Sequence, residues 1–382
     1  MCKTSLAAAL SAALITTALA APHAGAAQGR AGFGELPGES SQAYDANRSG
    51  QLVGMIESED GRRRAVLYEY GKVTELGTLG GSDSEARAIN ASGMITGAAQ
   101  NKDGRWRAFV YEVKKGMTDL GSLGGGGSSA VAINASGQVV GHSDLPNGDF
   151  HAFITQDGVM QDLGTLGGKT SYAAGVNTAG IVVGTAQNSD GFRRAFVATP
   201  GRPMREVPGL GGRISMATAI NDAGLVAGAA ETPDRRWHAY IWDGARTIDI
   251  GALLPKGVNS FATGINAAGH VAGSVTAEGY QPLTFVYKDG KVSVHPREAG
   301  LYLTSKISDS GLVVGSKFTG QRLAAYAVDE TAPEIKASPW DWVIRIGIAA
   351  GVAFTAWRVR RRTAGPMFPS SQVKVIANRF IR

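Results

Sequence analysis

Histidine, cysteine and carboxylate side chains carry most acid–base, nucleophilic and metal chemistry in proteins. The chain has one cysteine, Cys2, and six histidines, which are His23, His142, His151, His238, His270 and His295. No two histidines have the i, i+4 spacing of a helical metal site, and there is no G-x-S-x-G nucleophile motif. No pair of acidic residues recurs at a recognisable spacing. The sequence therefore assigns no catalytic residue, no metal ligand and no cofactor, although scattered Ser, His and Asp residues leave a triad formed by folding open.

Two short motifs resemble ligand sites without completing them. Residues 45–50 begin like a calcium loop, D-x-N-x-S-G, but Met55 and Ile56 stand near the place of the bidentate glutamate and Glu57 is poorly placed. Leu-Gly-Gly recurs at 79–81, 123–125, 166–168 and 210–212, as a phosphate-binding loop might, yet no helical pattern follows it. These glycines are therefore predicted to let the chain cross from one structural unit to the next.

His151 and His238 occupy a recurring position that is filled by Arg64, Arg107 and Arg194 in other copies of a repeat. A position that accepts either His or Arg is typical of a hydrogen-bonding strand edge and not of a catalytic base. We therefore expect a structural role for both histidines.

Arginine and aromatic residues cluster in loops of the same repeat, and rigid scaffolds commonly present binding residues on such loops. The alternative is that these loops are solvated hairpins whose aromatic side chains only cover neighbouring strands. The candidate ligand-binding residues are Arg62, Arg105, Trp106, Phe150, Phe192, Arg193, Arg236, Trp237 and Tyr280.

The element that positions these loops is an internal repeat of 42 to 45 residues, marked by an Asn-x-x-Gly turn. The marker residues are Asn47, Asn90, Asn134, Asn177, Asn221, Asn266 and, in the equivalent place, Ser308. A period in this range with several short strands per unit is typical of a β-propeller. Seven copies predict an all-β fold, a seven-bladed β-propeller of four-stranded blades.

Each unit contains four short runs of β-branched and aromatic residues separated by turn residues, as in 86–89, 94–97, 107–111 and 117–120. The runs are apolar on both sides, which fits sheets covered on both faces. Asn134 and Gly137 are predicted to close a tight hairpin, because Asn can bond its own backbone and Gly accepts positive φ.

Ring closure follows from the way the repeat ends. The third strand occurs seven times but the fourth follows it only six times, and residues 32–38 are similar to residues 75–81. An N-terminal strand is therefore predicted to complete the last blade, which would remove an exposed sheet edge. The propeller is predicted to span 32–330.

The chain ends predict export and attachment to a membrane. Residues 1–26 have a basic start, an apolar stretch and small-residue cleavage sites, as a signal peptide does, and its removal would remove Cys2. After a linker at 331–339, residues 340–357 are a candidate transmembrane helix flanked by aromatic residues and followed by an arginine cluster. The alternative is a helix that lies on the membrane surface, since 18 residues is near the lower limit for spanning and Arg345 is charged.

Charge separates the ring from the tail. Residues 358–382 carry seven basic side chains and no acidic one, so without them and Lys3 the net charge of +6 becomes −2. This argues against a nucleic-acid-binding ring and predicts that the basic tail contacts anionic lipid.

The combination of Ala-Ile-Asn-x-x-Gly, His-Ala-Phe (151–153) and Asp-Leu-Gly-Thr-Leu-Gly-Gly (162–168) resembles the HAF family of probable extracellular repeats. That resemblance implies export and a repeat fold, and no catalytic residues. We therefore expect a non-catalytic binding or interaction module at the bacterial envelope, periplasmic or on the cell surface, with a glycan or protein ligand on the loop face. The alternative is an envelope hydrolase or lyase with a site at the channel mouth.

Overall fold

The computed structural model describes residues 40–276, 282–295, 303–319 and 322–329. In these ranges the regular elements are β-strands and one turn of 3₁₀ helix, Gly251–Leu253, so the all-β prediction is confirmed. No helix in these ranges is long and apolar enough to cross a membrane. Several predictions lie outside the described residues and stay predictions: the signal peptide (1–26), the closing segment (32–38), Tyr280, the linker (331–339), the candidate transmembrane helix (340–357) and the basic tail (358–382).

Consecutive strands form antiparallel meanders, each running outward from its first strand. The first meander is β1 (Ser40–Ala46), β2 (Leu52–Glu57), β3 (Arg63–Glu69) and β4 (Lys72–Glu75). The second is β5 (Gly80–Ile89), β6 (Ile95–Asn101), β7 (Trp106–Glu112) and β8 (Gly116–Asp119). The third is β9 (Ser128–Ile133), β10 (Val139–Asp144), β11 (Phe150–Gln156) and β12 (Val159–Asp162). The fourth is β13 (Gly167–Val176), β14 (Val182–Asn188), β15 (Arg193–Ala198) and β16 (Arg205–Glu206).

The fifth meander is β17 (Ser215–Ile220), β18 (Val226–Glu231), β19 (Trp237–Trp242) and β20 (Thr247–Asp249). The sixth is β21 (Asn259–Ile265), β22 (Val271–Thr276), β23 (Leu283–Lys288) and β24 (Lys291–His295). The last sheet has three described strands, β25 (Leu303–Ile307), β26 (Leu312–Thr319) and β27 (Arg322–Asp329). One parallel pair, Phe150 with Thr170, joins the third and fourth meanders into a single eight-stranded sheet.

The core lies between meanders, because each sheet buries both of its faces against its neighbours. Val53 and Leu67 of the first meander pack in one cluster with Phe109 of the second. On its other face the first meander buries Val66 against Val314 of the last sheet. The order of packing is therefore cyclic in the described residues: the first meander contacts both the second meander and the last sheet.

A close approach of backbone explains the glycine that stands at the third or fourth residue of the second strand in each unit, as in Val139-Val140-Gly141. The first strand of each unit bulges, for example at Val131, which brings its backbone against the glycine of the next strand. A Cβ added to Gly141 would lie 1.9 Å from the Ser129 carbonyl oxygen. Any side chain at this position would therefore push β9 and β10 apart.

A buried serine at the start of the first strand links successive meanders. The Ser84 hydroxyl accepts a hydrogen bond from the Ala65 N–H at 3.0 Å and donates one to the Gly77 carbonyl at 2.6 Å. Equivalent serines bond the third strand of the preceding unit at Ser41, Ser128, Ser171, Ser215 and Ser260. These hydroxyls satisfy backbone groups that would otherwise be buried without partners.

The Asn-x-x-Gly turn forms as predicted and also reaches the next meander. The Gly137 N–H donates to the Asn134 carbonyl at 3.0 Å, which closes the hairpin. The Asn134 side-chain oxygen accepts from the Gln138 N–H, while its Nδ2 donates to the Asn177 carbonyl at 3.0 Å. The same inter-meander bond is made by Asn47, Asn90, Asn177, Asn221 and Asn266. We call this series of bonds the Asn chain.

The step from the last sheet back to the first meander uses charge instead of an amide. Ser308, which ends the Asn chain, has no side-chain amide to donate. Two ion pairs join these units, Lys306 to Asp45 at 2.7 Å and Arg48 to Asp309 at 2.6 Å. Asp45 is therefore an ion-pair partner in the structure and also accepts the Ile89 N–H at 3.1 Å.

The His-Ala-Phe and Asp-Leu-Gly motifs bond to each other within a unit. His151 Nδ1 lies 2.9 Å from the Asp162 carboxylate, and His238 Nδ1 lies 3.0 Å from Asp249. Arg194 makes the corresponding pair with Glu206 at 2.6 Å. The structural role predicted for His151 and His238 is thus the one observed, since each joins a third strand to a fourth.

Candidate functional site

The hairpins between second and third strands share one face with the Leu-Gly-Gly crossings, which we call the crossing face. The Gly125 N–H bonds the Asp144 carbonyl at 3.0 Å, and the Gly212 N–H bonds the Glu231 carbonyl at 2.9 Å. Each crossing is therefore held against the end of the second strand where the next hairpin begins. The Asn chain lies at the opposite end of the first strands, so it belongs to the other face.

The predicted binding residues divide into two groups on the crossing face. Arg62, Arg105, Phe192, Arg193 and Arg236 are exposed, whereas the three residues Trp106, Phe150 and Trp237 are half-buried at the starts of third strands. The exposed group makes local contacts: Arg62 pairs with Asp60, Arg236 bonds the Gly257 carbonyl, and Arg213 lies over the Phe192 ring. These residues do not converge on one cavity.

Two of the half-buried aromatic rings are covered by an aromatic side chain of the following meander. The Phe150 ring centroid lies 4.5 Å from that of Tyr172, and the Trp237 centroid lies 5.5 Å from that of Phe261. Such contacts are typical of aromatic pairs that stabilise a fold. Phe150 and Trp237 therefore fit the alternative that the aromatic residues cover neighbouring strands.

Trp106 has no such cover. The residue that corresponds to Tyr172 and Phe261 in the meander after Trp106 is Ser129, which follows the buried Ser128. A cavity of about 410 Å³ lies there, lined by Trp106 and Ser129 among others. A small side chain thus stands where other units place a ring, which leaves space beside the indole. We call this space the Trp106 pocket.

Charged and polar groups surround the Trp106 pocket. The Arg63 guanidinium carbon lies 5.4 Å from the indole centroid, in the range of a cation–π contact. Glu85, His142 and Asp144 also line the cavity. The Asp144 carboxylate accepts the Gly127 N–H at 2.8 Å and keeps further lone pairs for other donors. The pocket therefore offers an aromatic face together with hydrogen-bond donors and acceptors.

His142 presents a neutral imidazole to the pocket near neutral pH. Burial lowers the pKa of His142 below its usual 6.5, with a further lowering from Arg87, while Asp144 acts in the opposite direction. One edge of its ring packs on Tyr172, with centroids 5.2 Å apart. A neutral imidazole can donate through one nitrogen and accept through the other.

Behind the pocket a polar cluster fixes Glu85. Its carboxylate is paired with Arg87, whose guanidinium carbon lies 4.6 Å from the Tyr44 ring centroid. The Tyr44 hydroxyl donates to Gln42 at 2.6 Å, and burial raises the pKa of Tyr44. Because Arg87 and Tyr44 are held by their own partners, Glu85 is oriented before any ligand arrives.

The carboxylates around the Asn chain do not form a free acidic pair. A cavity of about 380 Å³ on that face is lined by Asp45, Asp222 and Asp309. Asp45 bonds Lys306, Asp222 accepts from the Thr178 backbone and hydroxyl, and Asp309 bonds Arg48. Within the ranges that the structure describes, no three His, Cys, Asp or Glu side chains are grouped as a metal site.

Comparison with solved structures identifies the fold. The chain is similar to the β-propeller domain of the trilobed protease from Pyrococcus furiosus, with a TM-score of 0.52 and 11% identity over 79% of this chain and 100% of that domain. It is similar to a puromycin-hydrolyzing peptidase from Mycobacterium tuberculosis, with a TM-score of 0.52 and 14% identity over 80% of this chain but only 57% of that chain. A lectin from Burkholderia pseudomallei gives a TM-score of 0.48 at 9% identity over 78% of this chain and 98% of that chain.

No family model matches the chain, and no curated protein matches it significantly. The resemblance to the HAF family therefore stays a prediction. At 11% and 14% identity the two neighbours with a TM-score of 0.52 establish the fold and nothing of the activity. The fold is a β-propeller, as the period of the repeat predicted.

Trp106 could be identified as a candidate from the sequence, but the residues that make its pocket could not. Ser129, His142 and Glu85 occupy repeat positions whose identity varies, and no chemical motif marks them. The available signal was departure from the repeat. His142 stands where other units carry Ala98 and Thr185, and Ser129 stands where two units carry aromatic residues.

Proposed function

We propose that this chain is an exported, non-catalytic binding propeller that holds a glycan on its crossing face, in the Trp106 pocket. The observation that carries the proposal is an indole against which the described residues place no aromatic side chain, with the Arg63 guanidinium carbon 5.4 Å from its centroid as a second contact group. At two equivalent places a ring of the protein itself, Tyr172 or Phe261, covers the aromatic residue. A pyranose ring of a ligand can occupy the corresponding space beside Trp106.

The polar surroundings favour a sugar over a purely apolar ligand. A pyranose has one apolar face that stacks on an aromatic ring and a rim of hydroxyl groups that donate and accept hydrogen bonds. Glu85 and Asp144 accept, Arg63 donates, and a neutral His142 can do either. A protein ligand is the second possible occupant, and the binding experiment below separates the two.

An envelope hydrolase or lyase at the channel mouth has less support. Acid–base cleavage of a glycoside needs two carboxyl groups that face the same bond. The three aspartates that line the cavity at the Asn chain are each engaged by backbone or cationic groups. Glu85 at the crossing face is likewise paired with Arg87.

For the scaffold we propose seven blades, the last completed by the N-terminal segment. Ser84 donates to Gly77, Ser128 to Gly121 and Ser171 to Gly164, always to the glycine seven residues earlier. Gly34 stands seven residues before Ser41, which already accepts from the Ala325 N–H. This spacing supports pairing of Phe33 with β27. We also propose that the repeats are of the HAF type. Removal of residues 27–38 should then lower the melting temperature more than removal of residues 1–26.

We propose that the propeller acts outside the cytoplasm, in the periplasm or on the cell surface. Support comes from the sequence of residues 1–26, from the candidate transmembrane helix at 340–357 and from the basic tail at 358–382. Fractionation of cells that express the full chain, with and without residues 340–382, tests the location. Release of the shortened chain from the membrane fraction is the expected result.

The ligand is tested with the purified chain on a glycan array, followed by titration calorimetry of the strongest glycan. Trp106→Ala should weaken binding at least tenfold, because the stacking surface is lost. Ser129→Tyr should weaken it equally, because the new ring fills the pocket as Tyr172 does in the next unit. Trp237→Ala is the matched control: its indole is covered by Phe261, so glycan affinity should not change. Equal loss in all three variants, or capture of a protein ligand only, would contradict the proposal.

A further inference from the structure

The turns of the Asn chain contain a second recurring donor, the N–H of the residue that follows each asparagine. In two turns this N–H is bound by a carboxylate of the next turn. The Thr178 N–H donates to Asp222 at 2.8 Å, and the Ala267 N–H donates to Asp309 at 2.7 Å. These two bonds show where the N–H points: toward the side chain at the same position one turn further along.

Five of the seven turns lack that carboxylate, because Ala267 follows Asp222 and Arg48 follows Asp309 around the ring. Three of the five, the turns of Arg48, Ala91 and Ala135, are consecutive and carry no acidic residue of their own at this position. Ala91 follows Arg48 around the ring and Ala135 follows Ala91. Neither alanine side chain can accept a hydrogen bond. Thr178 follows Ala135, but its hydroxyl is directed at Asp222, to which it donates at 2.7 Å, and not at the Ala135 N–H. In the described part of the chain the backbone N–H groups of Arg48, Ala91 and Ala135 have no protein acceptor. We call these three groups the open N–H arc.

The open N–H arc is accessible and lies at a cavity. Arg48, Ala91 and Ala135 are exposed, and all three line the cavity of about 380 Å³ on the face that carries the Asn chain. The Arg48 side chain is 68% exposed and its guanidinium lies at one end of the arc, paired with Asp309. Of the three aspartates around the cavity, Asp45 and Asp309 are neutralised by cations. The repulsion that remains comes from Asp222, which lies beyond the arc on the Thr178 side.

We propose that the open N–H arc binds the carboxylate side chains of an acidic peptide segment. The chain's own Asp222 and Asp309 demonstrate the binding mode, because they are peptide carboxylates bonded to the same N–H in neighbouring turns. Hydrogen bonds from backbone N–H to a carboxylate are the stronger, charge-assisted kind. This site lies on the face opposite the Trp106 pocket and does not depend on the proposed glycan site.

The test uses Ala135→Asp, which supplies the absent carboxylate to the Ala91 N–H, with Ala135→Asn as the uncharged control. The probe is a tetra-aspartate peptide titrated into the ¹⁵N-labelled chain. Saturable shifts of the Ala91 and Ala135 amide signals are expected in the unsubstituted chain and in Trp106→Ala. In Ala135→Asp the affinity should fall about tenfold, the loss of one charge-assisted bond. Ala135→Asp should also melt about 2 °C higher than Ala135→Asn.

Two results would overturn the proposal. The first is an absence of amide shifts at Ala91 and Ala135 in the presence of tetra-aspartate, with Ala135→Asp no more stable than Ala135→Asn. The second is equal binding of a tetra-asparagine peptide, which would show that carboxylates are not recognised. Stronger binding of an oligogalacturonate than of the peptide would overturn the assignment to a peptide.

Discussion

The Asn chain makes a quantitative prediction about how the meanders are held together. Asn134→Asp keeps the side-chain oxygen that accepts the Gln138 N–H but removes the amide that donates to the Asn177 carbonyl. The side chain is only 5% exposed, so the carbonyl would lose its donor and face a buried carboxylate. An unsatisfied buried acceptor and a desolvated charge together cost about 2–4 kcal/mol. The melting temperature should fall by roughly 3–6 °C for a ring of this size.

Asn101→Asp is the matched control for this prediction. Asn101 closes a hairpin on the crossing face, where its oxygen accepts the Asp103 and Arg105 N–H groups, but its amide makes no bond to another meander. Asn101→Asp should therefore cost less than about 1 kcal/mol, the usual range for a surface change. Urea titrations of both variants at pH 7 measure the difference. Equal losses in the two variants would refute the inter-meander role of the amide.

The pH dependence of Asn134→Asp gives an independent check. The new carboxyl would be buried beside a carbonyl, so its folded pKa should lie above the unfolded value of about 3.9. The loss in free energy of unfolding is then complete above the folded pKa. It shrinks as the pH falls through that pKa, because the protonated acid can donate to the Asn177 carbonyl. The difference in unfolding midpoint between Asn134→Asp and the unsubstituted chain should therefore be smaller at pH 4.5 than at pH 7.

Three further predictions concern the packing and the charged groups. Gly141→Ala should prevent normal folding, since its Cβ would collide with the Ser129 carbonyl oxygen. The Cβ of Gly158→Ala meets no atom within 4 Å, so this variant should lose only about 1 kcal/mol of unfolding free energy, the cost of positive φ. Soluble yield and urea titration measure the difference. Because burial lowers the folded pKa of His142, stability should fall as the pH drops below about 6.5, and His142→Thr should reduce that loss between pH 7 and pH 5. Asp45→Ala should cost about 2–4 kcal/mol because it leaves a cation and a buried N–H unpaired, whereas Arg48→Ala, at an exposed pair, should cost under about 1 kcal/mol.

Much of the fold could be predicted because the same local residue pattern recurs in every unit of the repeat. The runs predicted as strands at 86–89, 94–97, 107–111 and 117–120 overlap β5 to β8, although β5 begins six residues before its predicted run and β6 ends four residues after its run. The hairpin at Asn134 and the structural role of His151 also follow from residue type and spacing. In each case the interaction is local, or is repeated at a fixed offset along the chain.

The links between meanders could not be predicted in the same way. The donation from the Asn134 amide to the Asn177 carbonyl joins residues 43 apart, and the sequence gives no sign of which amide hydrogen points outward. The close approach at Gly141 was equally hidden, because a glycine in Val-x-Gly can serve a turn as easily as a backbone contact. Both features depend on how one sheet is rotated against the next, which periodicity alone does not specify.

The binding site follows a different rule from the fold, because a repeat that is uniform has no unique site. Every unit places a side chain two residues before the Ala of its third strand, and this is Trp106, Phe150 or Trp237 in three of them. What distinguishes Trp106 is the residue opposite it, Ser129, which is small where other units cover the ring. An aromatic residue alone therefore had little predictive value, since two of the three rings stabilise the scaffold. The informative quantity is the pair formed by a residue and its neighbour one repeat later, which can be read from the sequence once the register of the repeat is known.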